Sequence, residues 1–178
     1  MTGIFQWYVE TVGKYPFQAA FVQFAVLGMV GDLIASAIIG KKPEYGFFGF
    51  LKKMLGWGIL GIIIKTGFAG MHGFTEALYA KLHIASSSVL LFAFIKSTVT
   101  NTFFGPQMML FHRWEDNLLQ GTKGYKGMDT AIRTLFWFWI PAHTVTFVIA
   151  NHDVQIGLAA AWSLVLGLIL GLAKRKTV

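Results

Sequence analysis

FQAAFVQFAVLGMVGDLIASAIIG, residues Phe17–Gly40, decides how the rest of the chain is read. It is longer than the about 20 mostly apolar residues that a helix needs to cross a bilayer core. Its only charge is Asp32. Four more segments of the same character follow, at about 54–79, 86–111, 131–150 and 154–173. The whole chain of 178 residues is 55% hydrophobic and only 13% charged, with a mean hydropathy of +0.59. A soluble domain carries about 25% charged residues, so this chain has about half the usual means of making a polar coat. Disorder, fibrous architecture and most soluble folds are excluded. The expectation is an all-α polytopic membrane bundle of four to five hydrophobic helices, forming a single domain over residues 1–178. Met1 to Lys14 carries Glu10 and reads as a short amphipathic lead-in, with neither the basic start of a secretory signal nor the composition of a transit peptide.

Charge tests this layout. Five crossings place Lys41, Lys42, Lys52, Lys53, Arg113, Lys123, Lys126, Arg133 and the Lys174–Lys176 cluster on one face, and leave only Lys14 and Lys81 opposite. Basic residues collect on the cytoplasmic or matrix side of a membrane protein, so the C-terminus and the longer loops, Lys41–Lys53 and His112–Thr130, are expected on that side. The net charge of +7 therefore speaks of orientation. The first of these loops, with aromatic residues between lysines, suits a segment lying at the headgroup level. A ligand-binding loop is its other reading. Gly67, Gly70 and Gly73, and Gly167 with Gly171, are spaced for close helix packing.

Several chemistries find no footing. Gly56-Trp57-Gly58-Ile59-Leu60-Gly61 has the form of a dinucleotide fingerprint, but that motif needs a preceding strand and a following acid. The five histidines, His72, His83, His112, His143 and His152, lack metal-ligand spacing. There is no cysteine and no nucleophile elbow. No enzyme, metal site or cofactor is expected, and no nucleic-acid partner.

The informative residues are charges inside the hydrophobic segments. A charged side chain at mid-bilayer costs roughly 2.5 kcal/mol or more, so it turns toward the bundle interior or a water-filled cavity. Lys65 and Lys96 lie near the centres of the second and third segments, and Asp32 about one turn from the centre of the first. Either lysine could pair with Asp32, and one acid cannot compensate two lysines. If the three share one cavity, it favours an anion or a polar solute. Alternatively the three form a structural polar knot. Thr66, Ser97, Thr98, Thr100 and Asn101 add polar lining. Pro141 interrupts the fourth segment, with His143, Thr144 and Thr146 placed to satisfy freed carbonyls, and Gly105-Pro106 interrupts the third. Kinks are expected at Pro106 and Pro141.

Motif order adds a distant resemblance. Tyr8-x-x-x-Val12-x-x-Tyr15-Pro16, Gly31-Asp32, Tyr79 with Leu82, Phe104-Gly105-Pro106 and Trp139-x-Pro141 with Phe147 are similar, in sequence order, to the motifs of the Mpv-seventeen / twenty-two-kilodalton peroxisomal membrane protein family, and Trp162 to the tryptophan of its last segment. The chain departs from the family's Gly-Pro at His72-Gly73, from its Gln at Ser36 and from its Asp-Gln at Thr100-Asn101, and has no counterpart to the C-terminal signature near Val148–Gln155. The resemblance implies about four crossings, a mitochondrial inner or peroxisomal membrane, and channel-like or membrane-maintenance roles. It singles out Asp32; Lys65 and Lys96 come from span centres alone.

Two functions follow as expectations. One is a channel or carrier for small polar or anionic solutes in the mitochondrial inner membrane, with the C-terminus on the matrix side. Asp32, Lys65, Lys96, Asn101 and His143 then line the path. The other is a structural accessory subunit of a larger, respiratory-type membrane complex, its glycine faces and aromatics contacting partner helices and lipid. The partners are membrane lipids and either further copies of the chain or a larger complex.

Overall fold

Pro16 sits in the first turn of its helix, where its missing N–H would have had no partner. In the computed structural model, which describes residues 2–40, 45–84, 88–125 and 127–175, the helices are α1 (Thr2–Lys14), α2 (Pro16–Ile38), α3 (Phe47–Lys81), α4 (Val89–Val99), α5 (Gly105–Gln120), α6 (Met128–Thr134), α7 (Ile140–Val148) and α8 (His152–Arg175). Two π-helical stretches, Thr100–Phe104 and Leu135–Trp139, join α4 to α5 and α6 to α7. No strand occurs among the described residues.

Local chemistry sets the boundaries. Pro16 keeps Tyr15 out of the helical region, at φ −129° and ψ 60°, and so separates α1 from α2. Gly121, at φ +68°, ends α5 in the left-handed conformation that glycine adopts freely. The Asn151 side chain accepts from the N–H groups of Asp153 at 2.9 Å and Val154 at 3.1 Å, which caps α8.

Helix α2 is the axis of the bundle. Gly28 faces Trp57, and Gly61 faces Phe24 and the Ala20 carbonyl, so α2 and α3 run antiparallel. Gly31 faces Leu164 and Gly167, and Gln23 faces Gly157, so α2 and α8 run parallel. Helix α4 packs along α7, and the two π-helical stretches meet. Phe24, Phe68, Phe147 and Ile156 fill the centre with Ala20, Ala93, Ala159 and Ala160.

Three helices, α2, α3 and α8, are long and apolar enough to cross a membrane. Helix α3 has 35 residues, about 52 Å at about 1.5 Å per residue, and overshoots a core of about 30 Å. The third and fourth hydrophobic segments are each divided by a π-helical stretch into shorter helices, so among the described residues three membrane-length helices stand where four to five were expected. Side chains sort inside out: Val22, Leu55, Phe94, Val145 and Leu168 are exposed, whereas Lys96, Asn101 and Gln155 are buried. Water would penalise that distribution and lipid would not. It fits an integral membrane protein.

Two loops proved shorter than expected. Phe47–Lys53 is the start of α3, and residues 41–44 lie outside those described. His112–Gln120 belongs to α5. The glycine reading also shifts. Gly67 meets Phe104, but Gly70 and Gly73 have nothing within 4 Å. Gly167 packs on the Gly31 backbone, and the surroundings of Gly171 lie outside what is described. Gly56, Gly58 and Gly61, inside α3 with no strand before them, are contact points for Leu119, Phe21 and Phe24.

Candidate functional site

A lysine four residues before the first π-helical stretch, on a helix walled by α3 and α7, has nowhere to go but inward. Lys96 is 2% exposed. Its Nζ lies 4.0 Å from the centre of the Phe147 ring. Among the described residues no carboxylate lies within ion-pair distance of it. A cation–π contact contributes about 2 kcal/mol when desolvated, which falls short of the several kcal/mol needed to strip an ammonium of water. Beside it opens a cavity of about 170 Å³, which Lys96, Lys65, Thr66, Phe68, His152 and Gln155 help to line. The rim residues Thr66, Ala69 and His152 are exposed; Phe68, Lys96 and Gln155 at the inner end are buried.

Lys65 shares this cavity but has a partner. Its Nζ donates to Asp153 Oδ1 at 2.5 Å. Asp153 belongs to the turn that starts α8, so the pair ties the middle of α3 to the end of α7 and the start of α8. The His152 ring stands 4.6 Å from that of His72 beside it, and His72 Nε2 lies 3.4 Å from Glu76. Among the described residues no group of three or more His, Asp or Glu is placed to hold a metal ion.

Asn101 and His143 form a second layer. Asn101 Nδ2 donates to the Ser97 carbonyl at 2.8 Å and lies 3.1 Å from His143 Nδ1. Nδ1 then accepts, which leaves the ring proton on Nε2. Ser97 Oγ donates across to the Ile140 carbonyl at 2.7 Å. These bonds join α4 to α7 where lipid offers no hydrophobic drive between helices. The His143 ring packs on Phe68, Trp139 and Phe147. Thr100, Asn101, Phe104 and His143 also border a cavity of about 70 Å³.

Both prolines sit two residues past a π-helical stretch. The Gly105 N–H bonds to the Thr100 carbonyl, and the Ile140 N–H to the Leu135 carbonyl, each five residues back. The extra residue widens the turn ahead of the proline ring, which would otherwise strike the carbonyl four residues before it. Pro106 and Pro141 thus each follow a π-turn. The threonines do not serve Pro141 as expected. Thr144 and Thr146 donate to the Ile140 and Ala142 carbonyls, which flank the proline and are not the carbonyls a turn before it that the ring leaves free.

Asp32 lies elsewhere. Its carboxylate accepts from Lys53 Nζ at 3.1 Å and from Trp57 Nε1 at 3.2 Å. Lys53 also approaches Asp116 at 3.7 Å. Pairing of Asp32 with Lys65 or Lys96 is thus overturned, as is one cavity for all three. The antiparallel run of α2 against α3 puts Asp32 beside the first turns of α3, about 18 Å along that helix from Lys65 at about 1.5 Å per residue. Asp32, Tyr45, Lys53, His112 and Arg113 border an open cavity of about 510 Å³. Burial raises the Tyr45 phenol above its ordinary value, against the opposing pull of Lys53. Glu115, 5% exposed, lies 3.7 Å from His112.

The three cavities follow one another. Phe68 borders both the 170 Å³ and the 70 Å³ spaces. Phe24, Ile64, Met108, Met109 and Trp139 border both the 70 Å³ and the 510 Å³ spaces. Of the intramembrane residues singled out in the sequence, Lys65 and Lys96 meet at one end, Asn101 and His143 in the middle, and Asp32 at the other end. Thr98 turns back to the Phe94 carbonyl and lines none of these cavities. The sequence reading missed Lys53, Trp57, Asp116 and Asp153. Lys53 had a signal, because Asp32 is displaced toward the basic face of the layout. Asp153 had only its place in a short polar turn. Comparisons with family models, with curated proteins and with solved structures find no match to this chain.

Proposed function

We propose that this chain is a small α-helical membrane protein whose interior is a permeation pathway for small polar or anionic solutes. The observation that carries the reading is the run of neighbouring cavities, more polar at both ends than in the middle, between helices whose outer faces are greasy. A narrow apolar passage between wetter mouths is a form of gate that works by excluding water. Phe68 stands between the 170 Å³ and 70 Å³ spaces, and Phe24 and Ile64 between the 70 Å³ and 510 Å³ spaces. In this reading the rods Val89–Gln120 and Met128–Val148 also cross the membrane, giving five crossings. Lys53, Arg113 and the C-terminus then share the basic side. The motif-level resemblance to the Mpv-seventeen family supports placing this reading in the mitochondrial inner membrane, with that side in the matrix.

A second reading has one observation of its own. Gly70 and Gly73 on α3 face open space, beside the exposed Phe74. A partner helix could approach closely there, as an accessory subunit of a larger complex would require. Stoichiometric purification with other membrane subunits would support that role.

The chain has no cysteine, which makes the pathway testable by substitution. Ile64→Cys and Met108→Cys, both bordering the passage, should react in liposomes with a small water-soluble thiol reagent. Val26→Cys, on the outer face, should not. Equal protection of all three would remove the basis of the proposal.

A further inference from the structure

We propose that the Lys96 cavity is a binding site for one small monovalent oxyanion, a short carboxylate being the best fit. The inference rests on the permeation reading only for its purpose; the site itself is drawn from the cavity. A carboxylate near Lys96 would silence its charge, yet the acids close by are engaged elsewhere. Asp153 is taken by Lys65. Glu76 acts on Lys96 only through space, and its carboxylate, largely exposed, is held by His72. The balance within the cavity is therefore one positive charge, with Lys65 and Asp153 cancelling. A single buried ammonium beside a hollow asks for a single negative charge.

Shape narrows the class. The hollow measures about 170 Å³, similar to an engineered cavity of about 150 Å³ that admits benzene. Formate, acetate or a three-carbon acid fits; a sugar acid or a nucleotide does not. Phe17, Phe68 and Ile156 supply an apolar wall, which suits the methyl end of a carboxylate. Phe147 fixes the ammonium from behind, so an anion meets Lys96 from the cavity side. Exposed Thr66 and His152 at the rim leave a way in.

The test uses the purified full chain in detergent. Sodium acetate should broaden its own proton resonance in the presence of protein, and formate should compete, while gluconate, too large for the hollow, should not. K96M should weaken acetate binding by at least about tenfold, the loss of one charge-assisted hydrogen bond, and K96R should retain most of it. Binding that is unchanged in K96M, that gluconate shares, or that is absent from the wild-type protein overturns the site. The wild-type competition alone decides if K96M does not fold. Liposome flux separates the two proposals. Acetate binding without flux keeps the site and removes the pathway; flux without binding keeps the pathway and removes the site.

Discussion

Replacing Gly61 with alanine tests the α2–α3 packing on which every cavity depends. A Cβ at Gly61 would lie 2.6 Å from the Ala20 carbonyl oxygen and 2.7 Å from Phe24 Cβ. The first obstacle is backbone, so no rotamer change relieves it. The helices must part by roughly 0.8 Å to restore ordinary contact, and a close-packed interior resists this. Overpacking of that kind costs about 1–3 kcal/mol. Removing a helical glycine returns about 0.5–1 kcal/mol, so the net loss should be about 1–2 kcal/mol. Gly70→Ala, about two and a half turns along the same helix and with nothing within 4 Å, receives only the gain. Unfolding of both variants in mixed micelles, followed by near-ultraviolet circular dichroism against added denaturing detergent, should move in opposite directions. Equal shifts would refute the α2–α3 interface described above.

Other outcomes follow from the polar contacts. Lys65→Met leaves a half-buried Asp153 without its cation and should cost about 1–2 kcal/mol, less than a fully buried pair because both groups keep some exposure; K65M with D153N should recover most of it in a double-mutant cycle. Asn101→Ala leaves the His143 Nδ1 unsatisfied and should destabilise by about 1–3 kcal/mol, with a histidine ring resonance that reports the lost bond. Asp32→Asn should cost at most about 1 kcal/mol by the same unfolding assay, because Lys53 keeps Asp116 and the cluster is partly exposed.

The sequence shows the five hydrophobic segments because apolar composition over a bilayer's length is a local property. It shows that Lys96 turns inward for the same reason: an ammonium in hydrocarbon has few places to go. Partner choice is not local. Asp32 and Lys53 meet because α2 and α3 run antiparallel with Gly28 against Trp57, and nothing within either segment specifies that register. The prolines announce an interruption, but whether a helix bends or gains a residue depends on the helix packed against it; here two π-turns face each other. Glycine spacing told only part of the packing. Of the evenly spaced glycines, Gly67 and Gly167 do pack against neighbours and Gly70 and Gly73 touch nothing, while Gly28, Gly31 and Gly61, which periodicity did not single out for packing, lie at the crossings.

Reconstitution of the purified chain alone into liposomes tests the pathway most directly. Efflux of a small radiolabelled carboxylate should exceed that from protein-free vesicles, and Phe68→Ala, which opens the wall between the 170 Å³ and 70 Å³ spaces, should raise it further. Vesicles that stay as tight as protein-free ones, with wild-type chain and with Phe68→Ala alike, would contradict a conducting interior.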